Sequence, residues 1–194
     1  MSTHRLVTLL FVASLAGATF VLVRADEPHS EPRSQYVTAT KCKRCHSSSK
    51  IGAQYKVWLE SKHAHAFLSL ASDSAKVYGA RKGVEDPQQS PECLKCHVTG
   101  YGEPADHFVA ARADSEGVSC ESCHGAGSGY WKKSTMADIA SGKAEGSKFG
   151  LLLPKETCAN CHNEKSPAGT FVDWPADSAK IAHPIPKGYT PEPD

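Results

Sequence analysis

Several features are scarce in this chain, and each scarcity removes a class of function. There is no charge excess: Lys plus Arg number 22 and Asp plus Glu 21, for a formal net charge of +1. Without a basic surplus there is no electrostatic footprint for nucleic acid, and no acidic run forms a solvating tail. Long apolar runs are missing everywhere beyond the N-terminus, so no later segment can cross a bilayer as a single helix. The glycine-rich stretch Gly125-Ala-Gly-Ser-Gly129 lacks the Gly-Lys-Ser/Thr that would make it a phosphate loop. Methionine is nearly absent, with Met136 the only one after Met1. At 194 residues, 40% hydrophobic and 22% charged, the chain has room for one domain or at most two small ones, and it is not a disordered polymer.

The first apolar segment has the layout of an export signal. His4 and Arg5 give a polar, basic start, Leu6 to Val23 is nearly all apolar or small, and Val23-Arg24-Ala25 offers small residues at the cleavage positions. Residues 1–25 are therefore expected to be a signal peptide, leaving 26–194 as a soluble periplasmic domain without a membrane span. The competing reading is an uncleaved anchor, since the run is near the lower length limit for a transmembrane helix.

Cysteine, in contrast, is plentiful. All eight fall into four Cys-x-x-Cys pairs, each followed at once by His: Cys42/Cys45/His46, Cys93/Cys96/His97, Cys120/Cys123/His124 and Cys158/Cys161/His162. This is the signature of c-type haem attachment. Two thiols add to the haem vinyl groups, and the adjacent His lies under the iron as its proximal ligand. Zinc sites and disulfides give no reason for a His after every pair. A thioredoxin-like site would need a strand-helix-strand pattern that does not surround these pairs. With ten His in the chain, four such coincidences have a chance on the order of 10⁻⁵. Four covalently attached haems c are expected.

So many haems in so short a chain leave little polypeptide for a conventional core. The expected fold is mainly α with little regular secondary structure: short helices and long loops wrapped round a compact four-haem cluster. The best helix runs from Ala53 to Ala71, placing Leu59, His63, Phe67 and Leu70 on one face. A helix remnant and loop follow over Asp73 to Gln89, a short strand is expected over His107 to Ala113, and a weak helix over Thr135 to Ala144. The proline-rich end beyond Ile181 should be extended.

Proximal ligands leave one position open on each iron, and the residues able to fill it are His29, His63, His65, His107, His183 and Met136. His63 stands out on the apolar face of the best helix. His65, two residues on, points to nearly the opposite side, so the two cannot serve one iron. His183 alone lies downstream of His162. His29 sits on a loose polar arm.

The chain resembles the tetrahaem cytochrome c-554 family. The matching stretches are Lys41 to His46, Trp58-Leu-Glu-Ser-Lys-His-Ala-His-Ala-Phe67, Cys96 to Gly102, Gly117 to Gly127 and Cys158 to Pro167, together nearly all of 26–194. The resemblance implies a compact helical fold with closely packed haem pairs. It assigns His63 to the third-motif haem and draws the fourth-motif ligand from downstream, where His183 lies. It places the first-haem ligand, a His, about eleven residues after the third-motif His. Here that place reads Ser134-Thr135-Met136, which makes Met136 the candidate. The second-motif haem is five-coordinate in the best-known relative; His107 or His65 could fill it here.

Electron transfer between a redox donor and acceptor is the leading function, with Lys43, Arg44, Lys132 and Lys133 near the motifs as candidate docking charges. An enzymatic alternative would reduce a nitrogen oxide or peroxide at an open haem beside His107 or Asp106. A third is an oligomeric haem filament in which His29 reaches a neighbour.

Overall fold

Three of the four motifs end a short helix, and this follows from their spacing. In an α-helix, positions i, i+3 and i+4 share a face, so Cys-x-x-Cys-His puts both sulfurs and the imidazole on one side. The computed structural model describes residues 33–152, 154, 157–166 and 176–183. The chain divides into Met1–Glu31 and Pro32–Asp194, and every described residue belongs to the second unit. The proposed signal peptide, His29 and the proline-rich end beyond 183 lie outside the described residues.

In chain order the helices are α1 (Ala39–His46), α2 (Gln54–Leu59), α3 (Ala66–Ser69), α4 (Asp73–Arg81), α5 (Pro91–His97), α6 (Cys120–His124) and α7 (Lys133–Ala140). The first three motifs occupy the ends of α1, α5 and α6, and the fourth sits on a 3-10 turn at Cys158–Asn160. The fold is mainly α, as expected. Among the described residues no helix is long and apolar enough to cross a membrane.

Local signals account for several boundaries. Ser72 caps α4 by accepting from the Ala75 amide at 3.2 Å, with Asp73 in its first turn and Arg81 in its last. Pro91 opens α5, where its missing N–H costs nothing. Gly125, at φ +78°, stops α6 directly after His124, and a Cβ there would run into the Gly150 carbonyl.

Two expectations need correction. The helix expected over Ala53 to Ala71 is broken into α2 and α3, with turns across Ser61 to His65. The break frees the His63 carbonyl to accept from the Val118 amide at 3.0 Å. It also opens a slot in which Gly117, at φ +63°, lies so close that a Cβ would stand 2.7 Å from the His63 oxygen. A tertiary contact thus overrides a periodicity that reads as one helix. The strand expected over His107 to Ala113 is also absent. Only a parallel bridge forms, with Tyr36 N–H donating to the His107 oxygen at 2.8 Å and Val109 N–H to the Tyr36 oxygen at 2.9 Å. With no second strand to extend the ladder, one bridge is all this segment makes.

The start of α1 is held by carboxylates from elsewhere in the chain. Glu121, 3% exposed, accepts from the amides of Val37 at 2.8 Å and Gly127 at 2.7 Å through Oε1, and from Thr38 at 2.9 Å through Oε2. Glu116 accepts from the Ala39 amide at 2.8 Å. These satisfy amides that a helix start leaves without partners. They also hold Thr38 at φ 71°, a conformation a β-branched residue seldom adopts.

Among the described residues the buried hydrophobic ones are few: Val37, Ala39, Ala64, Leu70, Leu94, Val98 and Tyr130. Leu70, Leu94 and Val98 cluster, with Phe67, Cys93 and Tyr101 against them. Replacing Glu121→Ala should strand three amides and lower stability by about 3 kcal/mol or more. Denaturant titration of the holoprotein measures this, and a change within about 0.5 kcal/mol would show that α1 does not depend on Glu121.

Candidate cofactor site

The motif cysteines meet across the molecule in a defined order. Cys42 of the first motif lies close enough to Cys120 of the third for that neighbour, first among the causes, to raise its thiol well above the usual range. Cys123 of the third lies within electrostatic reach of Cys158 of the fourth. Cys161 of the fourth lies near Cys96 of the second; burial first, then Cys96, push its pKa up to about 12. All eight cysteines are unpaired by disulfides. Motifs distant in sequence are therefore contiguous in the order first, third, fourth, second.

Two cavities run along this line. One, of about 510 Å³, is lined by Cys42 and His46 of the first motif and by Cys120, Cys123 and His124 of the third. The other, of about 550 Å³, is lined by Cys158, Cys161 and His162 of the fourth motif and Cys96 of the second. They share Ser61, His63, Val118, Cys123 and Ile181 as lining residues, so the two cavities are adjacent at His63.

The imidazoles are set by their neighbours. His97 Nδ1 lies 2.7 Å from the Ala66 carbonyl. A carbonyl only accepts, so Nδ1 carries the proton and Nε2 keeps its lone pair. Gln54 Nε2 donates to the Ile51 carbonyl, which turns its Oε1 toward His46 Nδ1 at 3.2 Å. His46 then has the same tautomer. Such partners are what orient a metal-binding imidazole.

Two further His stand opposite motif His. The His63 and His162 ring centres are 6.0 Å apart, nearly perpendicular, and those of His124 and His183 are 5.9 Å apart. Two imidazoles on opposite sides of one metal ion stand on the order of 6 Å apart, centre to centre, so both pairs fit axial ligation. Burial, then His162, lowers the His63 pKa. Burial, then His183 and His46, lower that of His124 to about 4. Both rings are neutral at physiological pH, the form that can bind a metal.

The juxtaposition differs from the one implied by resemblance. His63 faces His162 of the fourth motif rather than His124 of the third, and His183 faces His124 rather than His162. The helix break explains where His63 ends up. Trp58 Nε1 donates to the Val118 carbonyl at 2.8 Å, while the Val118 amide returns to the His63 carbonyl. Trp58 and His63 therefore grip one residue from two sides, and the ring of His63 is presented where the two cavities adjoin.

Met136, half-buried on α7, lines the first cavity. His65 is exposed at the start of α3 and lines neither cavity. His107 also lines neither; its Nδ1 donates to Glu103 at 2.7 Å. Cys93 packs into the Leu70 cluster, and Cys45 is exposed. Lys43 and Arg44 are exposed on α1 and Lys132 before α7, with Lys43 Nζ 5.5 Å above the Tyr55 ring.

Sequence reasoning missed Glu121, Gly117 and Tyr130, although all three matter to the site. Tyr130 donates from its hydroxyl to the carbonyls of His124 at 3.0 Å and Gly125 at 2.6 Å, fixing the end of α6. The one available signal was a charged residue inside the third motif, where solvent exposure would be the default expectation.

Short helices that end in Cys-x-x-Cys-His, arranged around shared apolar cavities, make this a multihaem c-type cytochrome by class. Its relatives narrow that. The family model for cytochrome c554 and c-prime matches residues 41–125, which hold the first three motifs. Cytochrome c-554 of Nitrosomonas europaea is 31% identical over 137 residues, 63% of this chain. The chain spans 55% of that relative's length. The reduced-state structure of cytochrome c554 from the same organism superposes with a TM-score of 0.52 at 27% identity, over 77% of this chain and 79% of that one. Over residues 41–125 the chain is similar to the cytochrome c554 and c-prime family. The family-model match is narrower than the near-complete resemblance read from the motifs, and the fourth motif lies outside it.

Gly117→Ala tests whether the Gly117 slot positions His63. Strain at positive φ and the clash with the His63 carbonyl should cost about 2 kcal/mol or more. The ultraviolet and visible spectra should show one perturbed haem. An unchanged melting temperature and spectrum would show that the slot does not hold His63.

Proposed function

We propose that this chain is an exported tetrahaem electron carrier. The observation that carries the proposal is that residues of all four Cys-x-x-Cys-His motifs line two adjacent apolar cavities, the first and third motifs one and the fourth with Cys96 of the second the other. Each cysteine pair would hold one haem c by thioether bonds, with His46, His97, His124 and His162 as proximal ligands. Bound haem supplies a one-electron ferric/ferrous couple.

The chain's own residues do the rest. Gln54 and Ala66 hold the lone pairs of His46 and His97 free. His63 serves as the distal partner of His162, and His183 as that of His124. Two imidazoles per iron favour a low-spin carrier of low potential. The scant polypeptide core supports the view that bound haem completes the fold. The leader layout of residues 1–25 supports export to the periplasm, where haem is attached and where a redox donor and acceptor would meet the protein.

Mass spectrometry of protein made in a host that attaches haem c should give the polypeptide plus four haems. Cys158→Ser with Cys161→Ser should give three. A colourless protein weighing no more than its polypeptide would refute the proposal. His63→Ala and His183→Ala should each convert one haem to high spin. The altered haem should be that of the fourth motif for His63→Ala and of the third for His183→Ala, as judged by which motif deletion abolishes the new signal. The reverse pattern would support the pairing implied by family resemblance.

A further inference from the structure

Resting on the haem-carrying function proposed above, we propose that Met136 is the distal ligand of the first-motif haem, opposite His46, and makes that haem the high-potential end of the chain.

Among the described residues, the His and Met side chains lining the first cavity are His46, His63, His124, His183 and Met136. Three of them are accounted for in imidazole pairs. His124 and His183 face one another at 5.9 Å, and His63 faces His162 at 6.0 Å. His46 lies within electrostatic reach of His124, but His124 is already paired with His183, and among the described His and Met residues lining this cavity the one outside those pairs, besides His46, is Met136. His46 also has its Nδ1 hydrogen-bonded to Gln54, so its free nitrogen is the one available to a metal.

The position of Met136 is fixed from both sides. Upstream of α7, the Trp131 amide donates to the Gly127 carbonyl at 2.9 Å, and the Tyr130 hydroxyl is bonded to the end of α6. On the other side, Lys41 of α1, the residue before Cys42, lays its Nζ 5.2 Å above the Trp131 ring. The helix that carries Met136 is therefore tied to both the first and the third motif, whose cysteines lie close together. Met136 itself donates its amide to the Lys132 carbonyl at 3.0 Å, a regular helical bond.

The chemistry follows from the donor. A thioether is a softer, weaker donor than imidazole and favours ferrous over ferric iron, so His/Met ligation raises the reduction potential above that of two His. A haem held by His46 and Met136 would therefore be the most readily reduced of the four. The first motif also lies at one end of the motif order. The exposed Lys43 and Arg44 of α1 lie inside that same motif.

The test uses the holoprotein and three variants, with the haem content of each determined by mass. The oxidised wild type should show the long-wavelength charge-transfer band of thioether-ligated ferric haem, and its redox titration should resolve one of four haems at higher potential. Met136→Leu, which nearly conserves volume, should keep four haems, lose the band and the high-potential component, and bind carbon monoxide at one reduced haem. Met136→His should restore low-spin ligation at the haem that Met136→Leu altered and bring that haem to low potential. Cys42→Ser with Cys45→Ser, which removes only the first haem, should abolish the same band and component and so assign them to that haem. A wild type without the band, or a Met136→Leu protein that keeps both band and potential, overturns the proposal. Fewer than four haems in the wild type would instead count against the tetrahaem function.

Discussion

The architecture depends on one buried carboxylate. Glu121 sits between the two cysteines of the third motif and accepts from three backbone amides, two of them just before the first motif and one just after α6. Burial is the leading influence on this group and raises its pKa, while the three amides work in the opposite direction. A carboxylate removed from water is costly unless its oxygens are fully hydrogen-bonded, and here the donors are backbone groups that cannot rotate away. The same contacts supply partners for the otherwise unpaired start of α1. The first and third motifs are therefore registered to one another before any haem is considered, and the proximity of Cys42 to Cys120 follows from that registration.

The third motif is the hub for a second reason. Gly117 and Val118 immediately precede it, and they reach across to Trp58 and His63. Thr99, just after the second motif, donates its hydroxyl to the Gly117 carbonyl at 2.9 Å and accepts from the Ser119 amide at 2.7 Å. Segments from the first motif, the second motif and the Trp58 helix thus all converge on residues 116–121. Most of these contacts pair a side chain, from Glu116, Glu121, Trp58 or Thr99, with a backbone group, so they are strict about those side chains as well as about glycine and spacing. Order of the motifs in space is set here, not by order in sequence.

What was legible in the sequence was chemistry expressed as fixed spacing. Cys-x-x-Cys-His is local, and it became the i, i+3, i+4 face of α1, α5 and α6 as it had to. The mainly α character and the thin apolar core were legible for the same reason. Long-range consequences were not. The periodicity of 53–71 reads as one helix because Leu59, His63, Phe67 and Leu70 are spaced for it, and nothing local announces that Val118 will claim the His63 carbonyl. The opposing partner of His63 was hidden too, since that depends on where the break turns the ring. Glu121 was overlooked because a glutamate inside a surface-like motif gives no sign of burial.

The scarcity of buried apolar residues has a consequence for how the chain can carry function. With few buried apolar side chains among the described residues, Trp58, Val118 and Ile181 turn apolar surface toward the cavities. Such walls are stable only when something apolar fills the space between them. The same residues that would bury a macrocycle therefore need it for stability, so folding and cofactor loading are linked in one free energy. That linkage explains how a chain with a single small hydrophobic cluster at Leu70, Leu94 and Val98 can maintain imidazole pairs at fixed spacing. It also explains why the polar network is concentrated around Glu121. Those backbone bonds set register without needing a core, and register is what places each His opposite its partner.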